Sequence, residues 1–231
     1  MKKLPSVSFF CPAYCDEENL PKLIPKADAL LKKIAKRYEI IIIEDCSPDK
    51  TGDVADSLAK EYNNIQVIHH KTNRGYGGAL KSGFENSKYE YVMYTDGDNQ
   101  YDVDEFYGFI PFLDYADVVS GYARKKAVTF RRKVQSLIYN KLISILFFIP
   151  ANDLNCSMKI YKRKVIDSMK IHSLSAFIDA EMIIKARRKG FKIKQLPVTH
   201  YSRLSGVEGG SKMNVIVDTI KDMIRFRLGY F

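Results

Sequence analysis

Asp96 and Asp98 stand two residues apart in Thr95-Asp96-Gly97-Asp98-Asn99-Gln100, directly after the hydrophobic run Tyr91-Val92-Met93-Tyr94. Two carboxylates so spaced can both approach one divalent cation if the chain turns between them, and Gly97 permits that turn. Oxygen ligands favour Mg²⁺ or Mn²⁺, which keep open positions for substrate phosphates. A D-x-D turn alone is common; its company is not. Three further polar clusters end short hydrophobic runs: Tyr14–Asn19, Asp45–Asp49 and Asn73–Gly78. Asn73-Arg74-Gly75-Tyr76-Gly77-Gly78-Ala79 follows one such run and opens a helical pattern. That placement suits either a phosphate cradle or a tight turn with close helix packing. Its glycines fit neither G-x-G-x-x-G nor a P-loop. They follow the third strand-like run, not the first, which argues against a dinucleotide cofactor.

The elements that must position these clusters follow from periodicity. Val7–Cys11 reads as a short strand ended by Pro12. Glu18 to Tyr38 carries apolar residues at helical spacing, with Pro21 in its first turn. Glu39–Glu44 is a β-branched run typical of a parallel strand buried on both faces. Asp49 to Tyr62 reads as a helix, Ile65–His69 as a strand, Gly75 to Ser87 as a helix and Tyr89 to Thr95 as a strand. This β-α-β-α-β-α-β order predicts an α/β fold, a mostly parallel Rossmann-like sheet with helices on both faces. In such sheets ligands bind at the carboxyl ends of the strands, where all four polar clusters fall.

The chain has 231 residues, 46% of them hydrophobic and 28% charged, which excludes disordered and collagen-like classes. No apolar run reaches the roughly 18–20 residues that span a bilayer. The first residues lead into a strand, with no cleavage site of a signal peptide. Cys11, Cys15, Cys46 and Cys156 show no zinc spacing and read as buried thiols of a reducing compartment. Charge is divided unevenly: residues 1–119 carry a net −6 and residues 120–231 a net +16. An acidic half suits a metal, and a basic half suits an anionic partner: nucleic acid, an anionic membrane or a phosphorylated substrate. No helix-turn-helix, zinc-finger or RNA-recognition signature accompanies the basic half, so nucleic acid is not expected.

Pro12–Pro21, Glu44–Thr51, Asn73–Ala79 and Asp96–Gln100 come in the order and spacing of family 2 glycosyltransferases of the GT-A fold. The chain most resembles their polyprenyl-phosphate branch, which includes dolichyl-phosphate mannose synthase and dolichyl-phosphate glucosyltransferase. Arg132, Ser136 and Asn140 fit the branch's R-x-x-x-S-x-x-x-N helix. Asp153–Lys159 resembles its D-x-x-C-G-F-K segment, and Phe177–Glu181, Leu196–Val198 and Arg203 fit later blocks. The resemblance spans nearly the whole chain and implies one domain, 1–231. Residues 1–119 would form the nucleotide-sugar half and 120–231 the acceptor half. It implies that Pro12, Tyr14 and Asp16 surround the nucleotide base and that Asp45 holds the nucleoside. Asn73, Gly75, Gly77 and Gly97 would complete the donor site. Asp96, Asp98 and Gln100 would hold Mg²⁺ or Mn²⁺ and the sugar diphosphate, and Arg132 and Arg203 would contact phosphates. Departures stand at Cys15-Asp16 (usually Asn-Glu), at Ser157-Met158 (usually Gly-Phe), at Tyr101–Val103 (often His-Pro-Pro) and at the inserted Gly206–Gly210 before Ser211-Lys212. They bear on sugar and acceptor identity.

Phe130 to Pro150 is apolar almost all round behind Arg131-Arg132-Lys133, and Met213 to Phe231 is amphipathic. Both suit helices lying at a membrane interface, and the first equally suits a core helix. The resemblance therefore implies an inverting transferase acting at the cytoplasmic face of a membrane. A lipid monophosphate acceptor, with a second pKa of about 6, is already a dianion near neutrality and needs no general base. It needs positioning cations, for which Arg124, Arg131, Arg132 and Arg203 are available. A sugar hydroxyl would need a base, for which Asp153, Asp179 or Glu181 is the candidate. Asp179 and Glu181 could instead pair with the basic stretch Lys185–Lys189. An inactive scaffold is disfavoured by the intact Asp96, Asp98 and Gln100.

Overall fold

The computed structural model describes residues 3–124, 127–149, 152–203 and 213–231. Seven strands form one sheet: β1 (Leu4–Ala13), β2 (Ala35–Glu44), β3 (Ile65–His69), β4 (Tyr91–Tyr94), β5 (Val118–Ala123), β6 (Lys159–Lys162) and β7 (Ile193–Val198). Their order is β3-β2-β1-β4-β6-β5-β7. All neighbours are parallel except β6, which runs antiparallel to β4 and β5. The helices are α1 (Leu20–Ile34), α2 (Thr51–Glu61), α3 (Gly75–Asn86), α4 (Phe130–Phe147), α5 (Arg163–Asp167), α6 (Ile178–Arg188) and α7 (Met213–Arg227), with a 3₁₀ segment at Val103–Asp114.

The isoleucine run of β2 shows why the sheet is covered twice. Ile40 and Ile42 enter one core cluster with Leu23, Ile24 and Phe106; Ile41 and Ile43 enter the other with Phe84, Tyr94 and Phe177. Successive side chains of a strand face opposite ways, so four consecutive isoleucines require helices on both sides. The chain steps outward from β1 to β2 and β3, then returns to β4 on the other side of β1. Parallel strands that diverge in this way open a crevice at their carboxyl ends.

Two expectations need correction. β1 is not ended by Pro12, because it continues to Ala13, opposite Glu44. The helix expected to reach Tyr38 stops at Ile34, and Ala35–Tyr38 pair with Leu4–Val7 of β1. The helical propensity of Ala-Lys-Arg yields there to ladder pairing along the extended β1. The cysteines also divide: Cys11 and Cys156 are buried, Cys15 is half-buried and Cys46 is exposed.

α3 lies close against β1 through Gly83. A Cβ there would sit 2.2 Å from the Phe10 ring, which stacks on Tyr94 at 5.0 Å. Gly83→Ala should therefore destabilise the fold by about 1–3 kcal/mol, although alanine is the better helix former by about 1 kcal/mol. Urea denaturation should show a lower midpoint at an unchanged slope.

Candidate active site

β1, β2 and β4 deliver their polar ends to one crevice. After β1, Cys15 takes a left-handed conformation (φ 57°) and turns the chain back. Asp16 locks this turn: its Oδ2 accepts from the Tyr14 N–H at 3.0 Å, its Oδ1 from Asn19 Nδ2 at 2.9 Å, and its own N–H donates to Thr51 Oγ1 at 2.8 Å. Burial raises the Asp16 pKa, partly offset by those donors. Asp16 thus shapes the β1 loop, while Tyr14 remains 42% exposed at the crevice.

The D-x-D segment sits directly over this turn. The Gly97 N–H donates to the Pro12 carbonyl at 3.1 Å, and a Cβ on Gly97 would lie 2.7 Å from that oxygen. Glycine is required there by close approach, not by a turn of its own. The left-handed residue is Asn99 (φ 56°), whose Nδ2 donates to the Asn19 carbonyl at 2.8 Å. Asp98 Oδ1 accepts from the Gln100 N–H at 3.1 Å, and Oδ2 pairs with Arg203 Nη2 at 2.9 Å. Residues 200–203 fold onto this segment: Tyr201 N–H donates to the Gln100 carbonyl at 2.8 Å and His200 packs edge-on against Tyr101. Asp96 is placed differently. Its N–H donates to Ser157 Oγ at 3.2 Å, while its Oδ1 is sealed from solvent with no hydrogen-bond donor among the described residues. Burial, then the charges of Asp98 and Asp179, push its pKa up to about 8.

An orphaned, buried carboxylate oxygen beside a second carboxylate is a donor set that fits a hard divalent cation. Among the described residues no three His, Cys, Asp or Glu side chains gather for a metal. Asp96 and Asp98 are the side chains here that would hold such a cation, and the remaining positions of a Mg²⁺ site need not come from the protein.

A cavity of about 360 Å³ opens from Asp96 between α4 and α7, lined by Gln100, Tyr101, Arg132, Ser136, Tyr139, His200, Val215, Ile216, Ile220 and Met223 among others. Its floor is polar at Asp96 and Arg132, and its α7 wall is apolar. Arg132 lines it, whereas Arg124 and Arg131 are exposed outside it. Asn140 holds the next segment in place: its Oδ1 accepts from the Leu154 N–H at 3.1 Å.

Of the three carboxylates considered as a base, Asp179 and Glu181 are engaged in ion pairs, and Asp153 accepts one backbone N–H through a single oxygen. Asp179 Oδ1 pairs with Lys159 Nζ at 2.5 Å and accepts from the Tyr94 hydroxyl; its Oδ2 accepts from the Tyr76 hydroxyl at 3.0 Å. Both charged side chains are fully buried. Its partner is therefore Lys159, not the 185–189 stretch. Glu181 does pair with that stretch, through Lys185 at 2.5 Å, and also caps the His172 and Ser173 N–H groups. Asp153 Oδ2 accepts from the Ala123 N–H at 2.9 Å.

Of the two readings of the glycine loop, the close helix packing is visible in the structure. Gly75 adopts φ 71°, but a Cβ on Gly77 would lie 2.2 Å from the Leu174 backbone. Gly77 therefore serves close packing of α3 against that loop. Asn73 instead braces the β2 end, its Nδ2 donating to the Asp45 carbonyl at 3.1 Å. Sequence reasoning gave no role to Lys159, Tyr94 or His70, and read Ser157 only as a departure from the family pattern. Lys159 and Ser157 lay inside a quoted motif, but nothing in their spacing told that they are buried beneath Asp96. Gly206–Gly210 and Ser211-Lys212 lie outside the described residues.

The family model Glycosyl transferase family 2 matches residues 8–169. A dolichyl-phosphate beta-glucosyltransferase of Trichomonas vaginalis is 30% identical over 96% of this chain and 74% of its own length. An undecaprenyl-phosphate 4-deoxy-4-formamido-L-arabinose transferase of Enterobacter sp. is 29% identical over 91% of this chain, which spans 64% of that relative. Among solved structures, glucosyl-3-phosphoglycerate synthase from Mycobacterium tuberculosis with Mn²⁺ and UDP superposes at TM-score 0.74 with 16% identity, covering 97% of this chain and 80% of that one. S. aureus TarS with UDP-GlcNAc superposes at 0.69 with 18% identity, over 97% and 65%. These likenesses establish the GT-A fold. The carboxylate pair stands at the carboxyl end of β4, inside the stretch the family model covers, and the chain is a glycosyltransferase belonging to family 2.

Proposed function

We propose that the protein transfers a hexose, with inversion, from a nucleotide-diphosphate sugar to a polyprenyl phosphate at the cytoplasmic face of a membrane. The observation that carries this reading is the engagement of Asp179 and Glu181 in ion pairs with Lys159 and Lys185, which leaves Asp153, one oxygen of which accepts from the Ala123 N–H, as the one of the three to be tested as a base. A hydroxyl acceptor needs a free base within reach, whereas a phosphate dianion is itself the nucleophile. The named relatives act on dolichyl and undecaprenyl phosphates, which agrees with it.

In this reading Asp45 and Tyr14 hold the nucleoside, and Asp96, Asp98 and Gln100 hold the diphosphate end of the donor. A divalent ion bound there supplies charge neutralisation for the departing diphosphate. Arg132 positions the acceptor phosphate in the cavity, using paired guanidinium N–H donors that orient it without taking its nucleophilic oxygen's charge. Arg203, already at Asp98, lies where negative charge accumulates as the sugar leaves. The lipid tail would leave between α4 and α7. Leu137, Ile145 and Phe148 in or just after α4 and Val217, Ile224 and Leu228 in or just after α7 are apolar side chains exposed to solvent. Basic Arg131, Lys133 and Lys141 flank them, the pattern of helices that rest in a headgroup layer. No helix among the described residues is long and apolar enough to cross a membrane.

Asp153→Asn tests the acceptor class, because the amide oxygen can still accept from Ala123 while basicity is lost. Losing a required base costs roughly 10²–10⁴-fold in rate. We expect turnover of a short-chain polyprenyl phosphate within about threefold of wild type, and an acid limb following only the acceptor's ionisation near pH 6. A hundredfold loss would favour a hydroxyl acceptor with Asp153 as base.

A further inference from the structure

His70, just beyond β3, is buried and joins two elements that face the nucleoside side of the crevice. Its Nδ1 lies 2.6 Å from Asp45 Oδ1 and its Nε2 2.9 Å from Ser82 Oγ on α3. Arg74 Nη1 lies 3.1 Å from the same Ser82 oxygen, and the Arg74 N–H is 2.8 Å from Asp45 Oδ1. Donor capacity gives this chain a direction. The Asp45 carboxylate only accepts, so Nδ1 of His70 is the donor in that pair, and the Nε2 of a neutral imidazole is then left to accept the Ser82 hydroxyl proton; the guanidinium only donates, so Ser82 Oγ accepts from Arg74. Oδ1 of Asp45 is thus filled by two donors, and among the described residues no hydrogen bond reaches Oδ2.

We propose that His70 is a positioning residue for the donor nucleotide: it fixes the rotation of the Asp45 carboxylate so that Oδ2 meets an N–H or O–H of the nucleoside. The inference rests on the reading of Asp45 as the nucleoside-holding residue. Ser82 and Arg74 serve it indirectly, by holding the tautomer in which Nδ1 is the donor. A carboxylate held only by the Arg74 N–H has more rotational freedom and would pay for its alignment at each binding event, so the loss should appear in nucleotide affinity before it appears in the rate of the chemical step.

Two substitutions separate positioning from mere packing. Asparagine places its amide N–H near the position of Nδ1 and keeps the donor to Asp45. Glutamine places it near Nε2 and loses that donor. Calorimetric titration of wild type with UDP and with GDP, each with MnCl₂, identifies the tighter probe. With that probe, His70→Asn should bind within about threefold of wild type and His70→Gln at least about tenfold more weakly, the cost of losing a buried hydrogen bond to a charged group. Asp45→Ala is the control on the underlying reading, and thermal midpoints report folding. Equal losses in the Asn and Gln variants, or no loss in either, would overturn the positioning role. An Asp45→Ala variant that binds like wild type, or a wild type that binds neither nucleotide, would overturn the underlying reading and the proposal together. Weakened Asp45→Ala with unweakened His70→Gln would overturn the proposal alone. If His70→Gln does not fold, Ser82→Ala leaves both His70 and Asp45 in place but releases the tautomer. It should weaken binding by about threefold, and unchanged affinity would count against the proposal.

Discussion

Asp96→Asn should yield a protein more stable than wild type above pH 8 that transfers sugar at roughly a thousandth of the wild-type rate or less. Both effects come from one oxygen. Burial and the neighbouring charges of Asp98 and Asp179 raise the Asp96 pKa from 3.8 to about 8. In the unfolded chain the group releases its proton near pH 4. Between about pH 4 and 8 the folded protein holds a proton that the unfolded chain has lost, so stability falls as pH rises through that window and reaches its floor above 8. Asparagine never ionises and removes this fall, a gain on the order of a few kcal/mol at pH 8.5 and little at pH 5. Urea denaturation at both pH values, without divalent ions, measures it. Mn²⁺ at about 100 times its dissociation constant should stabilise wild type by about 2.7 kcal/mol and the variant far less. Wild-type turnover in the variant would remove Asp96 from the donor site.

Lys159→Met should cost about 3–5 kcal/mol of stability, the typical effect of breaking a buried pair by removing one partner. Lys159 and Asp179 are fully buried, and the pair ties β6 to α6, with Tyr94 of β4 and Tyr76 of α3 completing it. Without the ammonium, Asp179 becomes an uncompensated charge below Asp96. Replacing both partners leaves no buried charge, so Lys159→Met/Asp179→Asn should recover most of the loss. A double-mutant cycle in urea should give a coupling of about 2 kcal/mol or more. Additive single effects would mean that the two groups are solvated independently, contrary to their burial.

The fold was largely legible because its signals are local. The isoleucine run, the helical spacing after it and the polar residues ending each strand together require a doubly covered parallel sheet, whatever else the chain does. The candidate site was legible as far as a motif carries its own candidate ligands: Asp96 and Asp98 are neighbours in sequence and remain so in space. Boundaries were less legible. Ala35–Tyr38 became strand only because Leu4–Val7 were extended beside them. The antiparallel β6 was likewise invisible, since its pairing partners lie 39 or more residues away in the chain and nothing in Lys159–Lys162 announces direction.

What tertiary structure alone decided was the electrical state of each group. The sequence supplied Asp153, Asp179 and Glu181 as equivalent carboxylates. Folding brought Lys159 to one, Lys185 to another and the Ala123 N–H to the third. It likewise left one oxygen of Asp96 without a donor and filled one oxygen of Asp45 twice. Sequence by itself determined which chemistry was possible, because residue type and local spacing fix the available ligands. Only packing determined which carboxylates are free to perform it, because desolvation and partners reach across strands that sequence distance keeps apart.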